Sequence, residues 1–329
     1  MQKASCRMSL LVLLCIIVSF FSACESVKEE KRIVIAVSTI GETHGWPVGV
    51  RFFAEREIKA VAAENGWDYQ MLVAQDANEQ SNQVIELVNQ EVDCIIMLPM
   101  DGASLKTAAM AIEDADIPLV IFDREIPDFA PTATVKGDNS GIGSMTADIF
   151  NGYFPDGTKV LEVMGDTSTV PQQRTDGFDE IIHKNIIKEQ VGFTGWSRGS
   201  TKRLFGEWIE VNSEAERAEV GAIFTHDDEI ALGILDVLDE LEAEGKSNMM
   251  PNLRVIAGSA GPQMMYRRIA EEKQYELFSL IYSPAMICEA IEIGANIILG
   301  EEYEEMTIIG TKKVSKENVK EYIDPSLPY

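Results

Sequence analysis

The chain has 329 residues, a length typical of about two domains. Hydrophobic residues make up 46% of it and charged residues 25%, which are ordinary values for a folded globular protein and argue against disorder. The formal net charge of −26 repels phosphate backbones and anionic lipid, so it argues against nucleic-acid binding and against a basic membrane-binding patch.

The first 24 residues have the pattern of an export signal. Two basic residues near the start precede a nearly unbroken apolar run over 10–21, which is too short to predict a membrane-spanning helix. The stretch Phe21-Ser22-Ala23-Cys24 resembles a bacterial lipobox, in which small residues precede a cysteine that becomes lipidated. We expect a signal peptide over 1–23, a lipid anchor on Cys24 and a polar tether over 24–31; a plain signal peptide cleaved nearby is the alternative.

From residue 32 onward, short apolar runs alternate with stretches of helical period. Strand-like runs are predicted at 33–37, 69–73, 94–98, 119–122, 159–164, 191–196, 221–225, 253–257 and 277–282. Helices are predicted at 52–63, around 84–88, at 103–115, after Asp228, and over 285–299. Continuous apolar strands separated by helices indicate parallel sheets that are covered on both faces. The sequence therefore predicts an α/β fold of two doubly wound halves.

Ligands of such sheets bind beside the carboxyl ends of the strands, so the loops that follow the strands are the candidates. Trp46 lies on the loop after the first strand, where an indole face suits the C–H face of a sugar ring; the alternative is a core role. Asp123 and Arg124 directly follow the wholly apolar fourth strand. A carboxylate accepts hydroxyl hydrogens and a guanidinium donates several, although a structural ion pair is equally consistent with the pattern.

The second half offers a further set of candidates. His226-Asp227-Asp228-Glu229 directly follows an apolar strand, and we expect one carboxylate to cap the next helix while another faces the cleft. Arg174 falls at the predicted start of a helix, and Trp196 ends a predicted strand.

The sequence has no pattern typical of catalysis or metal binding. Its histidines at 44, 183 and 226 lie far apart, and no nucleophile elbow, phosphate-binding glycine loop or paired-cysteine motif is present. Cys94 and Cys288 lie in apolar runs and are interpreted as small core residues rather than a disulfide or a nucleophile. An enzyme would need an activated nucleophile or a matched acid–base pair, and the neighbouring arginines would keep the candidate carboxylates ionised.

Six stretches carry a resemblance to a known family: Ile33-Val34-Ile35-Ala36-Val37-Ser38, His44-Gly45-Trp46, residues 118–124, Gly137-Asp138-Asn139, Arg174-Thr175-Asp176-Gly177-Phe178 and residues 226–233. In order and spacing they resemble the periplasmic sugar-binding proteins of the ribose, galactose and galactofuranose type, over nearly all of residues 32–310. The resemblance implies a type I periplasmic binding protein fold, with two Rossmann-like lobes joined by a three-crossing hinge. The N-terminal lobe would comprise 32–136 plus 284–308, and the C-terminal lobe 137–283 plus 309–329.

The same resemblance implies a ligand site between the lobes, built from Ser38, Trp46, Asp123, Arg124, Arg174, Trp196, Asp227 and Tyr282. One departure concerns the stretch after the ninth predicted strand. Where the family places an aromatic or apolar residue followed by Asp, this chain has Ser259 and Ala260, so a carboxylate acceptor is missing. Asp227 stands where the family commonly has Asn or Asp, and we expect it to compensate in part.

The implied function is the capture of a small sugar or polyol by closure of the two lobes, with no cofactor or metal. The protein would be an exported monomer, lipid-anchored in the periplasm or at the cell surface, that delivers its ligand to an ABC permease. A ligand-sensing module for a receptor kinase or chemoreceptor is the first alternative, and a hydrolase that uses the same cleft is the second.

Overall fold

Two six-stranded sheets organise the computed structural model, which describes residues 32–41, 45–327 and 329. Residues 33–329 form one compact unit. The predicted signal peptide, the tether and Cys24 lie outside the described residues. Within the described residues, no helix has both the length and the hydropathy that a bilayer span requires.

The first sheet is parallel throughout. In spatial order its strands are β11 (Met306–Ile309), β5 (Ala133–Gly137), β4 (Leu119–Phe122), β3 (Cys94–Met97), β1 (Val34–Ile40) and β2 (Asp68–Ala74). Strands β3 and β4 are buried at every position, because helices cover both faces of the sheet and leave no polar face.

The second sheet is parallel except at one edge. In spatial order its strands are β12 (Lys313–Val314), β10 (Glu276–Ile281), β9 (Val255–Ala260), β8 (Val220–Thr225), β6 (Thr158–Met164) and β7 (Ile186–Phe193). Only the short strand β12 runs antiparallel to its neighbour, β10.

Helices pack on the faces of both sheets. They are α1 (Gly45–Asn65), α2 (Ala77–Asn89), α3 (Gly102–Asp114), α4 (Asn139–Tyr153), α5 (Thr169–Ile181), α6 (Arg198–Val211), α7 (Glu214–Ala218), α8 (Asp228–Ala243), α9 (Gln263–Glu271) and α10 (Ile287–Leu299). On the first sheet, α1 and α10 share one buried cluster and α2 and α3 share another. Three short 3₁₀ turns complete the fold at Ser247–Met249, Pro284–Met286 and Val319–Glu321.

Several helices begin at the carboxyl edge of a strand, where an aspartate caps them. Asp101 accepts a hydrogen bond of 2.7 Å from the Ser104 N–H, and Asp138 accepts one of the same length from the Gly141 N–H. Such caps satisfy backbone donors that the first helical turn leaves unpaired. They also fix the strand-to-helix loops that surround the site.

The chain crosses between the two sheets three times: after β5, between β10 and α10, and between β11 and β12. This topology, with two parallel-dominated α/β lobes, confirms the predicted type I periplasmic binding protein fold.

Some predicted elements are wrong in detail. β7 covers Ile186–Phe193 rather than 191–196. It is an edge strand with polar, partly exposed side chains, so it has no continuous apolar run that would mark its bounds. Trp196 therefore lies on the following loop, with a left-handed φ of 61°. Arg174 lies well inside α5 instead of at its start. The cysteines at 94 and 288 are free thiols, and burial raises the pKa of each to about 12.

Candidate ligand-binding site

One cavity between the lobes brings together seven of the eight predicted contact residues. It is lined by Trp46, Asp123, Arg124, Val170, Arg174, Trp196, Asp227 and Tyr282. Together with the solvent at its mouth it encloses about 340 Å³. Strands of both sheets end at this cavity, so it lies where ligands of open α/β sheets bind.

Asp123 lies at the end of β4 in a left-handed conformation, with φ of 68°, which Asp tolerates better than most residues. Its backbone N–H donates to the Val135 carbonyl at 2.8 Å, so the turn is held by the neighbouring strand. The Tyr282 hydroxyl donates to its carboxylate. Burial raises the pKa of Asp123, and the adjacent Arg124 charge opposes this effect. The site therefore contains a buried carboxyl group, and Tyr282 links it to one of the chain crossings between the lobes.

Arg124 connects the two lobes directly. Its Nη1 donates to the Met100 carbonyl at 2.6 Å, and its Nη2 donates to Asp166 of the second lobe at 3.2 Å. Burial opposes ionisation of Asp166, but the Arg124 charge and hydrogen bonds outweigh it, so the pKa of Asp166 is lowered. The pair holds the lobes together at the wall of the cavity.

Arg174 is only 2% exposed and is fixed from several sides. Its Nε donates to Asn139 at 2.9 Å, and its Nη1 donates to the His226 carbonyl. The guanidinium carbon lies 4.6 Å from the ring centre of Tyr282 and 5.9 Å from that of Trp196. A guanidinium held in this way presents its remaining donors to the cavity in a fixed orientation.

Asp227 both caps α8 and lines the cavity. Its Oδ1 accepts from the Glu229 N–H at 2.7 Å. Burial and the neighbouring Asp228 charge raise its pKa well above the ordinary value, contrary to the expectation that the neighbouring arginines keep it ionised. Asp228 lies behind it and accepts from the Ser279 hydroxyl at 2.6 Å and from the Gly261 N–H at 2.7 Å. The prediction that one residue would cap and another face the cleft is thus wrong, because Asp227 does both.

Two tryptophans, one from each lobe, line the cavity. Trp46 lines it while stacking on Phe122 at 5.9 Å between ring centres, and its indole N–H donates to the Tyr282 carbonyl at 2.8 Å. Trp46 therefore packs on the core and also lines the cavity, and its contact with a ligand stays a prediction. Trp196 lies flat on Gly165, where an added Cβ would come within 2.2 Å of the indole ring. Glycine at 165 is thus required for Trp196 to occupy its position.

Ser38 is the one predicted contact residue that does not line the cavity. It is fully buried, and its hydroxyl accepts from the Gln80 side chain at 3.1 Å. The same side chain donates to the Leu98 carbonyl and accepts from the Met100 N–H at 2.7 Å. Because the Met100 carbonyl accepts from Arg124, Ser38 is linked to the site through this chain of hydrogen bonds.

A buried polar network beneath the second-lobe wall was not predicted. Glu162 accepts from Thr175 at 2.7 Å, lies 3.2 Å from His226 Nε2, and pairs with Lys188 at 3.1 Å. Burial opposes its ionisation, but His226, Lys188 and Thr175 outweigh that penalty and lower the pKa of Glu162. Burial lowers the pKa of His226, which favours the neutral ring. The network supports the backbone of His226, which in turn holds Arg174.

Two more residues at or near the cavity have no distinguishing sequence pattern. Val170 lines the cavity, but a single valine in α5 gives no signal that separates it from a core residue. The Tyr329 ring lies against α1, where a Cβ added at Gly49 would come within 3.1 Å of its Cγ. Among the described residues, no group of His, Cys, Asp or Glu has the arrangement of a metal site.

The family model described as "Periplasmic binding protein domain" matches residues 35–302. The chain belongs to the periplasmic binding protein domain family. This membership confirms the resemblance inferred from the six sequence stretches. The ribose import binding protein of Bacillus subtilis is 26% identical over 219 residues, which cover 64% of this chain and 67% of the relative.

Solved structures share the fold of this periplasmic binding protein. An ABC transporter solute-binding protein from Bacillus halodurans with bound myo-inositol matches with a TM-score of 0.74 and 22% identity, covering 89% of this chain and 97% of that chain. The fructose-binding periplasmic domain of a hybrid two-component system matches with a TM-score of 0.76 and 19% identity, covering 88% of this chain and 93% of that chain.

Proposed function

We propose that this periplasmic binding protein captures a small neutral sugar or polyol between its lobes and delivers it to an ABC permease. The observation that carries the proposal is the convergence of carboxylates, guanidiniums and indoles from both lobes on one cavity. Such a set pairs hydroxyl donors and acceptors while the indoles cover C–H faces. The ribose-binding relative and the inositol-bound structural neighbour support this ligand class.

The proposed roles follow from the geometry. Asp123 and Asp227 accept from ligand hydroxyls, and Arg124 and Arg174 donate to ligand oxygens. Trp46 and Trp196 enclose the ring, and Tyr282 orients Asp123 from a crossing between the lobes. A dissociation constant near one micromolar corresponds to about 8 kcal/mol, which a few charge-assisted hydrogen bonds and two aromatic contacts supply after the entropy loss.

Ligand capture is tested by a thermal-shift and calorimetric panel of pentoses, hexoses, furanoses and polyols. We expect at least one to bind with one-to-one stoichiometry and to compact the protein in small-angle scattering, since closure joins the lobes. A panel in which nothing raises the Tm would contradict the sugar or polyol assignment.

Export and anchoring at Cys24 belong to the same proposal. The lipobox-like stretch before Cys24 supports them, because acyl chains on the cysteine would keep the protein beside its permease. Metabolic labelling with palmitate should mark the wild-type protein and not Cys24→Ala, which should also leave the membrane fraction. Equal labelling of both would refute lipidation at Cys24.

A sensory role is the second candidate, supported by the likeness to the periplasmic domain of a two-component system. The two roles differ in what deletion of the gene does. If the deletion abolishes ligand uptake and leaves ligand-induced transcription unchanged, delivery is supported. If it abolishes ligand-induced transcription and leaves uptake unchanged, sensing is supported.

A further inference from the structure

A second cavity adjoins the candidate ligand cavity and shares Arg124 with it. Its walls are residues 100–103 with Arg124, Glu125 and Pro127 from the first lobe, and residues 166–169 from the second. Together with the solvent at its mouth it encloses about 550 Å³. Both lobes therefore line it, as they line the first cavity, and it continues the same cleft along the carboxyl ends of the strands.

Arg124 lines both cavities and pairs with Asp166 in the wall of the second. Arg124 donates to Met100 and Asp166, which uses two of the five N–H donors of its guanidinium. The residue lines both cavities, so it is placed to donate to an oxygen that links a unit in the first cavity to a unit in the second.

The second cavity also holds a polar group that lacks a partner. The Thr169 hydroxyl oxygen is buried and makes no hydrogen bond within the described part of the chain. Buried hydroxyls are nearly always hydrogen-bonded in folded proteins. A rotation of the Thr169 side chain would turn this hydroxyl toward a ligand in the cavity, while Met100 and Pro127 offer apolar contact to a sugar face.

The charges of this cavity select against anions. Asp101, Glu125 and Asp166 line it, and Arg124 is its one lining cation among the described residues. Lys136 lies nearby but pairs with Glu125 at 2.7 Å. An acidic unit would therefore meet an excess of carboxylates, whereas a neutral hydroxylated unit would not.

We propose that the cleft holds a second neutral sugar unit in this cavity, so that the protein prefers a glycoside or disaccharide to the free monosaccharide. The inference rests on the proposed function, because the first unit occupies the first cavity. It adds a second subsite, formed by Thr169, Arg124 and the start of α3.

The test compares each sugar that binds with its methyl glycosides and neutral disaccharides, by calorimetry on the wild-type protein. We expect at least one disaccharide to bind about tenfold more tightly than its parent sugar. Ala103→Leu, which places a bulkier side chain in the wall of the second cavity, should remove that gain and leave parent-sugar affinity within about twofold. Thr107→Leu, on the same helix but not in the cavity wall, is the matched control and should behave as wild type.

The outcomes separate this inference from the proposed function. If parent sugars bind and every extended ligand is weaker, the second subsite is refuted while sugar capture stands. The same conclusion follows if Ala103→Leu leaves the disaccharide gain unchanged. If neither parent sugars nor extended ligands bind, sugar capture itself fails and the second subsite fails with it.

Discussion

Replacement of Arg174 by methionine removes the best-fixed donor in the cavity while keeping much of its volume. Its hydrogen bonds to Asn139 and His226 use two of the five N–H donors, and we expect at least two others to reach the ligand. A hydrogen bond to a charged group contributes about 1.5–3 kcal/mol, and each 1.4 kcal/mol changes affinity about tenfold. The Kd of Arg174→Met should therefore rise at least about 100-fold.

The same substitution leaves two buried acceptors, Asn139 Oδ1 and the His226 carbonyl, without this donor. Each such loss costs about 1–3 kcal/mol, so at about 2 °C per kcal/mol the Tm should fall by roughly 4–12 °C while the protein stays folded. Calorimetry at 20 °C measures the Kd, and circular dichroism checks the fold. Arg198→Met is the matched control, because Arg198 pairs with Asp236 outside the cavity. A Kd within about threefold of wild type in folded Arg174→Met would refute the proposed contact.

Four further predictions concern neighbouring residues. Asp123→Asn, which keeps the left-handed turn, should raise the Kd at least about tenfold in calorimetry; unchanged affinity would exclude ligand contact by its carboxylate. Ligand should change the emission of Trp46 and Trp196, and a spectrum unaltered at saturation would contradict their position in the cavity wall. Tyr329→Ala should lower the free energy of unfolding by about 1–3 kcal/mol in urea titration, since its ring packs on the core; no change would contradict that packing. Burial raises the pKa of Asp228 to about 7, so the folded protein keeps a proton that the unfolded chain releases near pH 4. Stability of the wild type relative to Asp228→Asn should therefore fall as pH rises from about 4 to 7, and a constant difference would contradict the raised pKa.

Complete burial made strands easiest to predict, although the half-exposed edge strand β2 was also found. β3 and β4 are apolar at every position, so an apolar search finds them. β5 includes a lysine, and β11 alternates exposed and half-buried positions at an edge, so neither produces a continuous apolar run. A continuous run of apolar residues indicates a buried strand, and the side chains of β7 are mostly half-buried or exposed. The predicted bounds of β7 were wrong for this reason.

The candidate site residues were easiest to predict where charged residues directly follow an apolar strand. Asp123 and Arg124 follow four apolar residues, and that change marks the edge of the sheet. The pairing of Arg124 with Asp166 depends on the approach of two lobes, which local sequence does not encode. The family resemblance assigns Ser38 to the wall of the site, but in the structure Ser38 does not line the cavity, and Gln80 donates to its hydroxyl inside the fold.

The Ser259-Ala260 departure leaves the end of β9 without the carboxylate that the family resemblance implies there. Ala260 has a φ of 140°, in a region that favours glycine, and the Ser259 hydroxyl has no hydrogen-bond partner within the described part of the chain. Asp228 fills the space above β9, because a Cβ at Gly258 would come within 2.0 Å of its Oδ1. Asp227, at the end of β8, is then the carboxylate that the second lobe presents to the cavity. In the second sheet, β8 lies one strand further from β10 than β9 does. A ligand recognised here should therefore place the hydroxyls that contact a carboxylate on the β8 side of the cleft.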